Sequence, residues 1–256
     1  MPTVDFLHSL ADAASDVIMP HFRQPLDVDN KETNGFDPVT VADREAERAM
    51  RALIEMRHPD HGILGEEFGT KQPDADTVWI LDPIDGTRAF ISGLPTWGVL
   101  IGHKFRGEAT LGMMCQPFTK ERFWGDGQTA THEGPGGELP LRTRACPKLE
   151  DATLFTTTPA LFEGAMRATY DRIEGRARLA RYGADCYAYC MVAAGHADIV
   201  LETGLAPYDV AALIPIVEGA GGRVTTWDGS NAVDGGSIIA TGDPALHEAV
   251  LQELNT

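Results

Sequence analysis

The sequence predicts a mixed fold of the α+β and α/β kind, on three observations. It opens with two amphipathic helical stripes. It continues in a strand-rich stretch from Ile63 to about Arg144, and after about Pro147 strands alternate with helices. In the first stripe Val4, Leu7, Ala11, Ala14, Ile18 and Phe22 recur at helical spacing. The turn-rich loop "NKETNGFDP" separates it from the second. There Thr40 and Asp43 have the spacing of a capping box, and Ala46, Met50, Leu53 and Arg57 continue one face. The strand-rich stretch contains "GILGEE", "TVWILD", "WGVLIGHKF", "EATLGMMCQP" and "ERFWGD", and from Trp97 on its spacing predicts an antiparallel meander. In the last stretch "ATLFTTT" precedes a helix near Ala160–Asp171, and "RARLARYG" precedes "DCYAYCMVAAGHA". "DIVLE" precedes "YDVAALIPIVEGAGG", then "RVTTW" and "SIIAT" lead to a final helix, "PALHEAVLQEL". Residues 1–147 therefore read as an α+β half and 148–256 as an α/β half, packed together without a flexible linker.

Composition narrows the partners. The chain carries 21 basic and 38 acidic residues, a net charge of −17. That disfavours nucleic acid and anionic membrane. A small anionic substrate stays compatible, because bound cations reverse a local field. No apolar run reaches membrane-spanning length. The opening "MPTVDFLHSLADAASDV" carries acids and lacks a basic start, so it does not read as a secretory signal. Cys115, Cys146, Cys186 and Cys190 form no CxxC pair and read as buried thiols, which suits a reducing cytoplasm.

The stretch "WILDPIDGTRAF" concentrates the chemistry. Val78–Leu81 reads as a buried strand ending at Asp82, with Pro83 ending the ladder and Asp85 in a tight turn. Gly86 permits an unusual backbone geometry, and Thr87 begins a helix. Two carboxylates beside a helix start suit a hard, oxygen-ligated cation such as Mg²⁺ next to a phosphate, which is the layout of phosphoryl transfer. Taken alone, Asp-Pro and Asp-Gly read equally well as turn dipeptides. Glu66 and Glu67 in "ILGEEFG" read alone as a solvated face, and Asp209 and Asp43 as helix caps.

The ordered set "GEE", "WILDPIDGT" and "YDVAALIPIVEGAGG" closely resembles the inositol monophosphatase family of Mg²⁺-dependent phosphatases, with Tyr208 where the family usually has tryptophan. The resemblance runs from about Lys31 to Gly222. It implies a layered αβαβα sandwich, commonly a homodimer, and two or three Mg²⁺ per site. It assigns Glu66, Asp82, Asp85 and Asp209 as metal carboxylates and the Ile84 carbonyl as a further ligand, with Glu67 reaching a metal through water. Thr87, with Asp43 and Glu66, would activate the attacking water, and Gly86 and Thr87 would offer backbone donors to phosphate. Charge supports this independently. Two carboxylates ~4 Å apart repel by about 4 kcal/mol at an effective dielectric near 20. Bound cations make such a cluster useful.

The substrate end is less specific. Glu202 matches a family position that contacts the organic part of the substrate, as does Asp209 at the metal edge. Asp185 stands where many inositol phosphatases have a small neutral residue. An extra carboxylate suits a cationic ester, because Asp185 and Glu202 would hold an ammonium. Local reading leaves open that Asp185 merely caps the helix that follows. "DGTRAF" in place of "DGTTNF", together with "YGADCYAY", resembles the histidinol-phosphate phosphatase branch. The expectation is therefore a cytoplasmic Mg²⁺-dependent L-histidinol-phosphate phosphatase. The alternatives are an inositol-1-phosphate phosphatase and, in another class, a non-catalytic metal-dependent binding protein. Arg88 is expected to bridge to an acid. His58 and His61 read as loop residues, and Lys31 is a surface lysine or lies near the site.

Overall fold

The computed structural model describes residues 3–25, 28–30 and 38–255. Lys31 lies outside them. Helix α1 (Val4–Ile18) buries Phe6, Leu7, Leu10, Ala11, Ala14 and Ile18. Short strands β1 (Asp29–Asn30) and β2 (Pro38–Val39) pair antiparallel. Helix α2 (Val41–Arg57) starts at the expected capping box. Asp43 Oδ2 accepts from Thr40 N at 2.9 Å, and Thr40 Oγ1 accepts from Ala42 N at 3.2 Å. Its apolar face differs from the expected one. Ala46, Met50 and Ile54 are buried, whereas Arg57 is exposed and Leu53 only half-buried. Arg57 keeps the angular position of that face but is the last residue of the helix, where its long charged side chain reaches solvent, and Leu53 lies at the edge of the buried arc.

An eight-stranded sheet follows, built from β3 (Gly62–Gly65), β4 (Gly69–Lys71), β5 (Thr77–Asp85), β6 (Gly98–Phe105), β7 (Glu108–Gln116), β8 (Glu121–Gly125), β9 (Ala130–Gly134) and β10 (Gly137–Pro140). From β5 to β10 each strand pairs antiparallel with the next, the expected meander. Among the described residues of this sheet, only β3 and β5 pair in parallel. Helix α3 (Thr87–Ile91) interrupts between β5 and β6. The expected ending of β5 at Asp82 is corrected, because the strand continues through Pro83 to Asp85 by slipping its register.

The five-stranded sheet has the order β12-β11-β13-β15-β14. Its strands are β11 (Thr153–Thr156), β12 (Leu179–Tyr182), β13 (Ile199–Leu205), β14 (Arg223–Thr226) and β15 (Gly236–Thr241). The helix expected at Ala160–Asp171 is corrected to a short 3₁₀ turn at Pro159–Leu161 and helix α4 (Gly164–Glu174). Gly164 sits at φ +54°, which separates the two. Helix α5 is Asp185–Ala193. The segment "YDVAALIPIVEGAGG" is likewise two helices, α6 (Pro207–Val210) and α7 (Leu213–Gly219), and α8 (Pro244–Leu254) closes the chain.

Alternation along the strands sorts three cores into five layers. Trp79, Leu81, Val99 and Ile101 face α1 and α2. Val78, Ile80, Leu100 and Met114 face a middle layer of α5, α6 and α7, which meets Val200, Ile238 and Ala240 of the second sheet. Ile199, Leu201 and Ile239 face α4 and α8. The order is α/β/α/β/α, the sandwich implied by the resemblance. The middle layer sits close on the first sheet. A Cβ on Gly112 would lie 2.0 Å from Ala212 O, and one on Gly102 would lie 3.1 Å from Ala212 N. Cys186 and Cys190 are buried there as free thiols. Among the described residues, no helix is long and apolar enough to cross a membrane.

Candidate active site

Strand β5 brings the two central carboxylates to one side. Asp82 continues the face of Val78 and Ile80, toward the middle layer. Strict alternation would send Asp85 to the opposite face. Pro83 has no N–H to give, and the ladder slips there: Asp82 opposes Leu100, but Asp85 opposes Gly98. Three steps along β5 thus match two along β6, a bulge that turns Ile84 into the α1/α2 core and returns Asp85 to the cavity side. Ile84 N then donates to Asp82 Oδ1 at 3.0 Å.

Other elements converge on this bulge. Asp209, in the first turn of α6, accepts from Ala206 N at 2.6 Å. Oxygens of Asp82, Asp85 and Asp209 lie within 4.8 Å of one another. Glu66, just past β3, lines the same cavity, and its charge bears on Asp82. Gly86 adopts φ +80°, a conformation costly to residues bearing a Cβ, and such a Cβ would meet Asp185 Oδ2 at 3.0 Å. Asp85 Oδ2 accepts from Cys186 N at 2.7 Å, which ties the start of α5 to the end of β5.

A cavity of about 270 Å³ is lined by Glu66, Asp82, Ile84, Asp85, Gly86, Thr87, Asp185, Glu202 and Asp209. Of the residues expected at the site, Asp43 stands behind it, 1% exposed, with Oδ2 also accepting from Thr40 Oγ1 at 2.6 Å. Thr87 Oγ1 donates to Ile84 O at 3.1 Å. Arg88 is exposed at the rim, and its charge opposes the upward pKa shift that burial imposes on Asp185. Asp185 makes no capping bond at α5 and holds φ +46°, a strained conformation for a non-glycine residue, with its side chain facing the cavity. His58 and His61 stack on each other at 4.6 Å, away from the cavity, and His61 Nδ1 accepts from Trp79 Nε1.

The electrostatics follow from burial. Asp82 is pushed well above the usual carboxylate range by burial first, then by Glu66, Asp85 and Asp209. Asp85 is raised in the same way, by burial and then by Asp185 and Asp209. Burial raises Asp43 to about 6 against the hydrogen bonds from Thr40. It raises Glu202, only 2% exposed, to about 8. A convergent set of oxygen donors that repel one another is a fit for hard divalent cations.

Two contributors escape a sequence reading. Glu47 on α2 is fully buried. Its Oε2 accepts from Glu67 N at 2.7 Å, and its Oε1 accepts from Phe68 N at 3.2 Å and Arg51 Nε at 2.7 Å. It thereby holds the loop that carries Glu66. An acid on the inward stripe of α2 was the available signal. Thr157 follows β11 and lies beside Glu202 because Phe155 pairs with Val200 in parallel register. That register is not written in any local motif.

The profile of the inositol monophosphatase family matches residues 2–256. The chain is 42% identical over 259 residues to "Bifunctional phosphatase IMPL2, chloroplastic" of Arabidopsis thaliana, covering 96% of this chain and 73% of that protein. It is 34% identical to a histidinol-phosphatase of Mycobacterium tuberculosis, covering 96% of this chain and 95% of the other. A solved inositol monophosphatase from Zymomonas mobilis superposes with a TM-score of 0.87 at 44% identity, covering 98% of this chain and 97% of that one.

Proposed function

Since this chain belongs to the inositol monophosphatase family, and so to a family of phosphatases, we propose that it is a Mg²⁺-dependent L-histidinol-phosphate phosphatase that releases histidinol and phosphate. The observation that carries the reading is the pair Asp185 and Glu202, which line the same cavity as the Asp82, Asp85 and Asp209 cluster. The cluster suits the phosphoryl end. The pair gives the organic end two buried acids that an incoming ammonium would ionise and pair with, a gain that a neutral polyol does not provide. The relatives lend support, since one is a histidinol-phosphatase across nearly the whole length.

Glu66, Asp82, Asp85, Asp209 and the Ile84 carbonyl would hold two or three Mg²⁺. When bound, such cations supply positive charge to the phosphoryl oxygens and acidify a water. The protein's own groups set position. Gly86 and Thr87 offer backbone N–H groups at the turn into α3. Thr87 and Asp43 take the proton of the attacking water. Thr87 Oγ1 donates to Ile84 O, so this role requires the hydroxyl to turn. Water attacks phosphorus in line, the P–O bond breaks, the departing oxygen takes a proton from solvent water to leave as the alcohol, and no phosphoenzyme forms. Glu67 is held by its backbone to Glu47, beside Glu66, and would reach a hydrated ion through water.

A second reading, inositol-1-phosphate phosphatase, is favoured by the 44% identity to the Zymomonas mobilis structure. Rates on histidinol phosphate, inositol 1-phosphate and a nucleotide 3′-phosphate, each with Mg²⁺ and with chelator, test both. Preference for histidinol phosphate that weakens selectively in Asp185→Asn supports the first reading, and equal losses on all esters sink it. No release from any ester would revive a non-catalytic binding role. The free thiols accord with a cytoplasmic location. The homodimer expected from the resemblance is tested by sedimentation.

A further inference from the structure

Glu202 and Asp185 come from different elements, β13 and the start of α5, and one side chain stands between them. Thr157 N donates to Glu202 Oε1 at 2.6 Å, and Thr157 Oγ1 lies 3.1 Å from the same oxygen. The same Oγ1 lies 3.5 Å from Asp185 Oδ1. Thr156 Oγ1 approaches the other oxygen, Glu202 Oε2, at 3.4 Å. Thr157 also lines the cavity.

A threonine hydroxyl has one proton and two acceptor lone pairs. Between Glu202 and Asp185 as carboxylates, the form that a bound cation favours, it satisfies one and presents a lone pair to the other. The shortfall is one donor. A ligand ammonium has three donors and no acceptor, and it carries the charge the two acids lack. A neutral polyol hydroxyl brings no charge and gains less from the same arrangement.

We propose that Thr157 is a positioning residue that sets substrate specificity: its hydroxyl holds Glu202 and Asp185 at the spacing that receives the ammonium of a cationic phosphate monoester. This rests on the reading of the substrate given above. Thr157 acts through the two acids and takes no part in breaking the P–O bond. Its backbone bond to Glu202 survives any side-chain change, so removal of the hydroxyl alters the spacing without releasing Glu202.

The test compares Thr157→Val, Thr157→Ala and Thr157→Ser in steady-state kinetics at saturating Mg²⁺, on histidinol phosphate and on inositol 1-phosphate. The Val variant keeps the branched shape and loses only the hydroxyl. Its KM for histidinol phosphate should rise about tenfold, the scale of one charge-assisted hydrogen bond. Its kcat, and its KM for inositol 1-phosphate, should stay within about twofold. Ser should restore the wild-type KM. If Val fails to fold, the contrast between Ala and Ser carries the same comparison. Equal changes on both esters, or no change on either, overturn the proposal and leave the substrate assignment standing. A wild-type preference for inositol 1-phosphate overturns the assignment and the proposal with it.

Discussion

Glu47→Gln isolates the support beneath the cation cluster. The carboxylate is fully buried and accepts three bonds, two at Oε1 and one at Oε2. A carboxamide has one accepting end. Turning that end toward Arg51 Nε and Phe68 N keeps two bonds and sets an NH₂ against the Glu67 N–H. The reverse orientation forfeits two. The cheaper outcome loses one bond to a charged acceptor, about 1.5–3 kcal/mol. The urea midpoint should fall by roughly 1 M with the slope unchanged. The freed amide belongs to Glu67, next to Glu66, so the Mg²⁺ concentration giving half-maximal rate should rise about tenfold, while the rate at saturating Mg²⁺ falls less than about threefold. Phosphate release titrated with Mg²⁺, beside urea unfolding in chelator, measures both. A lower midpoint with an unchanged Mg²⁺ requirement would refute the claim that Glu47 positions the Glu66 loop.

Three further outcomes are expected. Asp82→Asn replaces a buried carboxyl that burial and its acidic neighbours hold well above the usual range. In chelator its Tm advantage over wild type should therefore grow as pH rises and the wild-type group ionises, and Mg²⁺ should stabilise it less than wild type; an advantage that does not grow with pH would contradict the repulsion. Glu202 is raised to about 8 by burial, above the usual 4.5, so its contribution to stability is full below about pH 4.5 and lost as pH climbs toward 8. Urea unfolding in chelator at pH 5 and pH 8 should therefore show a smaller loss in Glu202→Gln than in wild type, with identical losses counting against the assignment. Gly86→Ala must place a Cβ at φ +80° and 3.0 Å from Asp185 Oδ2, so kcat/KM should drop at least about tenfold while Tm moves by only a few degrees, and near-wild-type kinetics would show that the turn has slack.

The layers and most of the acidic site were legible because they are encoded locally. The α1 stripe, the capping box at Thr40 and Asp43, and the meander from Trp97 follow from spacing alone. The carboxylates sit in short motifs at element ends, and the motifs resemble a known family. What stayed hidden depends on register. Pro83 looked like a strand terminator, yet the chain absorbs it as a bulge, which is why Asp85 shares a side with Asp82. Arg57 fits the periodicity of α2, yet it is exposed because the helix ends there, a boundary that periodicity alone does not mark. "YDVAALIPIVEGAGG" gives no local sign of the break between Val210 and Leu213. Glu47 and Thr157 matter through partners 20 and 45 positions away, distances that no local pattern spans.

The bare backbone at Gly102 and Gly112, on which Ala211 and Ala212 rest, works as a gauge for the distant carboxylates. Asp209 is only two residues before Ala211, whereas Asp82 and Asp85 ride on the sheet below. A methyl group at either glycine would act as a shim, lifting one jaw of the clamp from the other. The spacing of the acidic cluster is thus set from inside the protein, at glycines that line no part of its cavity.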